Sequence, residues 1–305
     1  MISGNEEKRA VWARVIQRRG EMGYPYIMFK DTANKNTVDV YKEKGLTIYA
    51  SNMCSEIMLP SKEDWSFVCC LSSVNLLHYD DWKDTDLVET MIAFLDAVME
   101  DFILKLEAMR DSKEQEKRRS FEFMERTYKF AKENRALGLG VLGYHSLLQS
   151  RGLAFECDEA AELNKEVFEM IHVKAEASTE QLAKELGEPE VLKGYGRRNT
   201  TLMAIAPTTS SAFILGQVSQ GIEPIWSNCY VKDVAKMKVT IKNPTLKVLL
   251  KEKKQDTKLV WESIRDNDGS VQHLDFLSEN EKAVFRTFAE VDQSKIIEQA
   301  ALRQK

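Results

Sequence analysis

The spacing of apolar side chains along the chain predicts long helices separated by short buried strands. Between residues 86 and 108, apolar side chains recur at the i, i+3, i+4, i+7 spacing of one helix face, which predicts a long amphipathic helix. Similar patterns or caps predict helices at 6–19, 113–134, 158–186, 244–251, 279–290 and 294–303. Short apolar runs predict buried strands at 24–29, 67–71 and 200–206, and residues 31–36 predict a turn.

An extended piece at 47–50 continues into the segment 51–56, and Pro60 stops it. In an extended conformation side chains alternate between two faces, so Asn52, Cys54 and Glu56 would project together. One face would then carry an amide, a thiol and a carboxylate. A cysteine with apolar neighbours is also commonly a small buried hydrophobe, so the residues alone leave both interpretations open.

Three glycines at Gly138, Gly140 and Gly143 spell the G-x-G-x-x-G pattern of dinucleotide-binding loops. Such a loop follows a buried strand, whereas a highly charged predicted helix precedes these glycines. We therefore expect the glycines to allow close packing between helices.

A hydroxyl-rich turn after Pro207 leads from the predicted strand at 200–206 into an apolar helix. The first N–H groups of a helix have no partner within the helix and lie at the positive end of its dipole, so this arrangement favours an anion. Ordinary helix capping by a hydroxyl is the alternative. The turn consists of Thr208, Thr209, Ser210 and Ser211.

Composition narrows the class of protein. The 305 residues, 43% hydrophobic and 30% charged, suffice for one large or two ordinary domains. A net charge of −5 argues against broad binding to nucleic acid, and no apolar run is long enough to span a membrane, so cytoplasmic residence is expected. Five cysteines without a C-x-x-C pair predict neither a disulfide framework nor a metal site.

Taken together, these motifs resemble the large catalytic subunit of class I ribonucleotide reductase. The resemblance covers nearly the whole chain, in the family's order. It implies an α/β fold: the helix-rich second half of a ten-stranded α/β barrel with a central finger loop that carries the catalytic cysteine. Residues 1–305 would form one partial barrel domain, with the finger loop at about 50–60 and the later strands and helices at 61–305. The segments concerned are 23–34, 51–56, 69–76, 135–144, 207–216, 222–224 and 269–277.

The resemblance implies reduction of ribonucleoside diphosphates to 2′-deoxyribonucleoside diphosphates by a thiyl-radical mechanism. Cys54 would become the thiyl radical that abstracts the 3′ hydrogen, and Glu56 would take the 3′-hydroxyl proton. Asn52 would hydrogen-bond the sugar, and Ser51 would also contact the substrate. These residue types suit those tasks, because a carboxylate is a suitable base and an amide orients hydroxyls without competing for the proton.

The resemblance also assigns a reducing thiol and a phosphate site. Cys69 matches the family's cysteine that reduces the substrate and ends in a disulfide, although the adjacent Cys70 leaves a choice between two thiols. The turn Thr208–Ser211 matches the substrate phosphate cradle. Cys157 and Cys229 match no catalytic position, and we expect them to be buried structural thiols.

Family large subunits are much longer than this chain, which contains no Tyr-Tyr dipeptide for the radical relay. The expected partners are therefore the missing N-terminal and C-terminal segments, a radical-generating small subunit that contains a metal, and an external dithiol reductant of the thioredoxin or glutaredoxin type. No cofactor bound by this chain itself is expected, and an oligomer is. The alternatives are an inactive remnant or assembly module of such a subunit, and a cobalamin-dependent relative.

Overall fold

The computed structural model describes residues 3–234 and 237–304, and the chain divides into two compact units, residues 1–62 and 63–305. The described part of the first unit contains helices α1 (Glu6–Met22), α2 (Lys30–Lys35) and α3 (Asp39–Glu43). Helix α1 was predicted and is confirmed. The Asn5 side chain caps its start by accepting a hydrogen bond from the Lys8 N–H at 2.9 Å, and Gly23 ends it at a φ of 73°.

Two other predictions for the first unit are wrong. Residues 24–29 do not form a buried strand but an irregular segment with exposed aromatic side chains, among them Phe29 at 76% exposure. The predicted turn at 31–36 is largely helix α2. An apolar run forms a strand only where another strand pairs with it, and Pro25 in this run lacks the backbone N–H that such pairing uses.

The second unit alternates helices with short strands. Its strands are β1 (Cys70–Asn75), β2 (Leu137–Leu142), β3 (Cys229–Val234) and β4 (Met237–Lys242). Its helices are α4 (Tyr79–Trp82), α5 (Leu87–Arg110), α6 (Gln115–Asn134), α7 (Tyr144–Ser150), α8 (Asp158–Leu186), α9 (Thr209–Ile214), α10 (Pro244–Glu252), α11 (Lys258–Asp266), α12 (Glu279–Val284) and α13 (Gln293–Arg303).

Strands β1 and β2 pair in parallel, with Cys70 opposite Leu137. Residues 201–204 run along the other edge of β2. The Leu139 N–H donates to the Leu202 carbonyl at 2.7 Å, and Leu139 forms a parallel bridge with Met203. The strand predicted at 200–206 is thus reduced to a bridge, and the one predicted at 67–71 begins only at Cys70.

The glycine-rich segment is a buried strand, so the expectation of helix packing is wrong. A Cβ placed on Gly140 would lie 2.3 Å from the Ala204 carbonyl oxygen. The absence of a side chain therefore lets residues 201–204 approach β2 closely, which is a role of glycine in strands. Gly143 follows with a φ of 80° and precedes α7.

The main core lies between these strands and the predicted long helices α5, α6 and α8, all of which are confirmed. The buried face of α5 carries the predicted apolar positions Val88, Ile92, Leu95 and Met99. Helix α8 has the predicted range, 158–186, with Cys157 at its N-terminal capping position and Gly187 at its C-terminal one.

A second core surrounds the antiparallel hairpin of β3 and β4 with α10, α11 and α12. Helices α10 and α13 were predicted and are confirmed. Helix α11 was missed, and α12 ends at Val284, short of the predicted residue 290. Among the described residues, none of the helices is long and apolar enough to cross a membrane.

Candidate active site

The segment 51–56 is a tight turn. The Ser55 N–H donates to the Asn52 carbonyl at 3.1 Å, and Ser55 has a φ of 66°. The extended conformation expected for this segment is therefore wrong. The cause is local, because the Asn52 side-chain oxygen accepts a hydrogen bond from the Ile57 N–H at 3.0 Å, which closes the turn. Asn52, Cys54 and Glu56 share this turn rather than one face of a strand.

The turn is held at both ends. On the N-terminal side, the Asn34 amide accepts from the Ile48 N–H and donates to the Ile48 carbonyl, both at 2.8 Å. On the C-terminal side, Ile57, Leu59 and Pro60 are buried. An exposed segment between two fixed ends can present a side chain in a defined place.

Cys54 is exposed at the turn, and Glu56 is half-buried. The Oε2 atom of Glu56 is shielded from solvent and has no hydrogen-bond partner in the described part of the chain. A shielded carboxylate oxygen without a donor is costly for a folded chain, which points to a donor from outside these residues.

The two adjacent cysteines of the second unit lie on opposite faces of the strands. A Cβ placed on Gly138 would lie 3.2 Å from the Cys69 Sγ, 2.4 Å from Leu71 Cδ2 and 2.9 Å from Ala204 Cβ. Cys69 therefore lies on the face of β2 where Gly138 has no side chain. The Cys70 side chain packs against the main core, where burial raises the pKa of its thiol. All five cysteines are thiols in this structure.

The hydroxyl-rich turn after Pro207 has the predicted form. Thr208 has a left-handed φ of 53°, helix α9 begins at Thr209, and Thr209, Ser210 and Ser211 are exposed. The Thr208 hydroxyl accepts from the Gly221 N–H at 2.9 Å. Cys69 and Ala204 both lie beside Gly138 of β2, and Thr208 follows Ala204 by four residues. The short segment 204–208 therefore leads from the neighbourhood of Cys69 to the start of this turn.

Helix α7 supports the loop behind this turn, and the sequence did not indicate this. Ser146 and Ser219 exchange two hydrogen bonds, each from a backbone N–H to the other residue's hydroxyl, at 3.1 and 2.9 Å. The fully buried His145 accepts from the Ile225 N–H at its Nδ1, at 3.0 Å. Burial lowers the pKa of His145 to about 4, so the neutral ring acts as the acceptor.

A buried polar network joins α5 to the C-terminal end of α6 and to the segment that precedes residue 201. The Asp96 carboxylate accepts from the Arg135 guanidinium at 2.8 and 2.9 Å, and from Arg198 and Asn199 at 2.8 Å each. Burial opposes ionisation of Asp96, but these partners outweigh it and hold its pKa below the usual value. Sequence reasoning missed this network, although a carboxylate beside Leu95 on the apolar face of a predicted helix was an available signal.

Comparisons with known proteins show the family to which this chain belongs. The family model for the ribonucleotide reductase barrel domain matches residues 4–194 and 188–305. A putative ribonucleoside-diphosphate reductase large subunit of Frog virus 3 is 40% identical over 297 residues, which are 97% of this chain and 50% of that protein. The large subunit of Invertebrate iridescent virus 3 is 37% identical over 299 residues, 97% of this chain and 45% of that protein.

Among solved structures, the class Id ribonucleotide reductase alpha subunit of Actinobacillus ureae is similar, with a TM-score of 0.88 and 51% sequence identity. The similarity covers 99% of this chain and 54% of that one. The chain spans about half the length of the relatives it matches, so the α/β fold is that of a partial barrel, and the sheets formed by the described residues are not closed. This chain belongs to the ribonucleotide reductase barrel-domain family.

Proposed function

We propose that the chain carries the reaction centre of a ribonucleoside-diphosphate reductase and acts as one piece of a larger assembly. The observation that carries this proposal is the anchored turn in which Asn52, the exposed Cys54 and the carboxylate of Glu56 stand together in a member of this family. The reaction replaces the 2′-hydroxyl of a ribonucleoside diphosphate by hydrogen. Residues 1–305 form a single partial barrel domain in this proposal, with the catalytic finger loop at about 50–60.

Each side chain of the turn has a proposed task. The Cys54 thiyl radical takes the 3′ hydrogen, forming an S–H bond and leaving the radical on the sugar. Glu56 accepts the 3′-hydroxyl proton, a role supported by its Oε2 atom, which no donor within the described residues satisfies. The Asn52 side-chain oxygen is engaged by the Ile57 N–H, which leaves the amide N–H groups to donate to the sugar.

We assign the reducing thiol to Cys69 rather than Cys70. Cys69 lies beside Gly138, on the face of β2 that points away from the main core, whereas Cys70 packs against the core, where burial raises the pKa of its thiol. The reducing thiol and a second thiol together give two electrons to the substrate and then form a disulfide with each other. The reducing thiol must therefore be accessible both to the substrate and to the second thiol. That second thiol is expected on a segment outside this chain.

The diphosphate is proposed to bind at Thr208–Ser211, with Ser51 as a further substrate contact. The exposed hydroxyls at the start of α9, and the N–H groups of its first turn, are donors of the kind that phosphate oxygens accept. The bond from Gly221 N–H to the Thr208 hydroxyl supports the left-handed conformation in which the chain enters the helix.

Several partners follow from this function. The radical is supplied by a metal-containing small subunit, the disulfide is reduced by an external dithiol of the thioredoxin or glutaredoxin type, and the absent large-subunit segments complete the barrel in an oligomer. A dithiol reductant implies a reducing compartment, for which we propose the cytoplasm.

The test is reconstitution. The chain is combined with the missing large-subunit segments, a radical-generating small subunit and dithiothreitol, and deoxyribonucleoside diphosphate is measured. We expect product with the wild type, none with Cys54→Ser, and undiminished product with the matched control Cys157→Ser. Absence of product from a folded wild-type assembly would favour the alternative of an inactive assembly module.

A further inference from the structure

The second unit contains a cavity of about 450 Å³ between residues 217–227 and the hairpin of β3 and β4. Its volume lies within the range of roughly 300–1,000 Å³ that is common for small-molecule sites. Tyr230 and Lys232 of the hairpin line one wall, and they share one face because they are two residues apart on a strand. Trp226 lines the cavity from the loop.

Trp226 offers one aromatic face. Its ring stacks on Phe288 with centroids 4.8 Å apart, and the Phe288 N–H donates to the Ile225 carbonyl at 2.8 Å, which fixes the pair. Trp226 is nevertheless 64% exposed. The second face of its indole is therefore available to stack with another planar group.

Lys232 offers a positive charge. Its Nζ lies 4.4 Å from the centroid of the Phe213 ring, and no carboxylate within residues 3–234 and 237–304 forms an ion pair with it. An ammonium group held over an aromatic ring and not neutralised by a carboxylate suits an anionic group of a ligand.

The floor of the cavity is polar and already satisfied. Ser146 and Ser219 bond each other, and the Asn243 amide donates to Gln149 and Asn228 at 3.0 and 2.8 Å. The floor therefore keeps its shape without a ligand. Among the lining residues the acid is Glu223, which is exposed and can accept from an amino group.

We propose that this cavity binds a planar aromatic ligand with one anionic group, whose ring stacks on Trp226 and whose anion pairs with Lys232. This site is additional to the proposed diphosphate turn and does not depend on the proposed reaction. Its ligand combines a ring, an anion and an amino substituent, and AMP is a simple probe with all three.

The experiment titrates the full chain with AMP, adenosine and ribose 5-phosphate by isothermal titration calorimetry. We expect AMP to saturate one site, adenosine to bind about tenfold more weakly or worse, and ribose 5-phosphate to give no measurable binding, because stacking and charge both contribute. A failure of AMP to saturate would overturn the proposal.

Variants locate the binding. Trp226→Ala and Lys232→Met should each weaken AMP binding by about tenfold or more, whereas Lys238→Met removes the same charge from the same hairpin outside the cavity and should leave it unchanged. Circular dichroism confirms that each variant is folded. An equal loss with Lys238→Met, or a loss with Ser210→Ala in place of the cavity variants, would contradict the assignment to this cavity.

Discussion

Gly138 lies so close to Cys69 that a Cβ at position 138 would stand 3.2 Å from the Cys69 Sγ. The same Cβ would lie 2.4 Å from Leu71 Cδ2 and 2.9 Å from Ala204 Cβ. A side chain at position 138 would therefore fill the face of β2 beside the thiol. The absence of a side chain at Gly138 therefore lets Leu71, Ala204 and the Cys69 thiol pack closely against this face of β2.

Replacement Gly138→Ala should destabilise the second unit. The Leu71 side chain can rotate away from the new methyl group, but Ala204 Cβ can move only with its backbone, so we expect the free energy of unfolding to fall by about 1–3 kcal/mol. Urea denaturation measures it. In the control Gly20→Ala, no atom lies within 4 Å of the new Cβ inside α1, and a gain of up to about 1 kcal/mol is expected. Equal stabilities of wild type and Gly138→Ala would refute this packing.

Replacement Asp96→Asn removes the charge that faces Arg135 and Arg198 without changing the volume. Because two buried guanidinium groups then lose their buried counter-ion and keep only the half-exposed Glu100, we expect the free energy of unfolding to fall by about 3–5 kcal/mol at pH 7. The half-exposed Glu100 pairs with Arg135, so Glu100→Gln should cost less than about 1 kcal/mol.

The acid dependence of the Asp96 effect checks its cause. The pKa of Asp96 is lowered in the fold, so its stabilisation is complete above the unfolded value of about 3.9 and is lost as the pH falls through the folded value. The difference in unfolding free energy between wild type and Asp96→Asn should therefore shrink towards pH 2. A difference that stays constant with pH would contradict the assigned charge.

His145 should make the free energy of unfolding depend on pH in a range above the one that concerns Asp96. Its pKa falls from about 6.5 when unfolded to about 4 when buried, so the unfolded chain binds the extra proton between these values and stability rises with pH. We expect the wild type to lose on the order of 3 kcal/mol more than His145→Asn between pH 7.5 and pH 4, because asparagine keeps an acceptor for the Ile225 N–H but does not titrate. Parallel stability curves for the two proteins would be the contrary result.

Cys69 and Cys70 can be separated in a single turnover without external dithiol. In the reconstituted assembly, we expect the Cys69 thiol to disappear into a disulfide as product forms, while Cys70 still reacts with iodoacetamide after denaturation. Mass spectrometry of peptides from single Cys→Ser variants distinguishes the two. Loss of the Cys70 thiol in place of Cys69 would reverse the assignment made from the two faces of the strands.

The long helices could be predicted because their apolar side chains repeat with the helix period, as Val88, Ile92 and Leu95 do. Strand β2 could not be predicted, because its first four residues alternate leucine with glycine, a pattern that also suits close packing of helices. Its strand conformation depends on neighbours that are distant in sequence, Leu71 and Ala204. Residues 24–29 show the converse, since an apolar run without a strand partner stays irregular.

The candidate site was predicted in its residues but not in its local shape. The types and order of Asn52, Cys54 and Glu56 identified the segment, whereas the bond from Ile57 N–H to the Asn52 side chain turns it back on itself. The hydrogen bonds of His145 and Asp96 were not predicted. Their partners, Ile225 and Arg135, are distant in sequence, and the burial of these polar side chains is evident only once the fold brings the partners together.

The most direct measurement is competition between a ribonucleoside diphosphate and the same compound with deuterium at the 3′ carbon, in the reconstituted assembly. If Cys54 abstracts the 3′ hydrogen, the protium form is consumed faster and the remaining substrate becomes enriched in deuterium. Consumption of both forms at the same rate throughout the reaction would contradict the proposed role of Cys54.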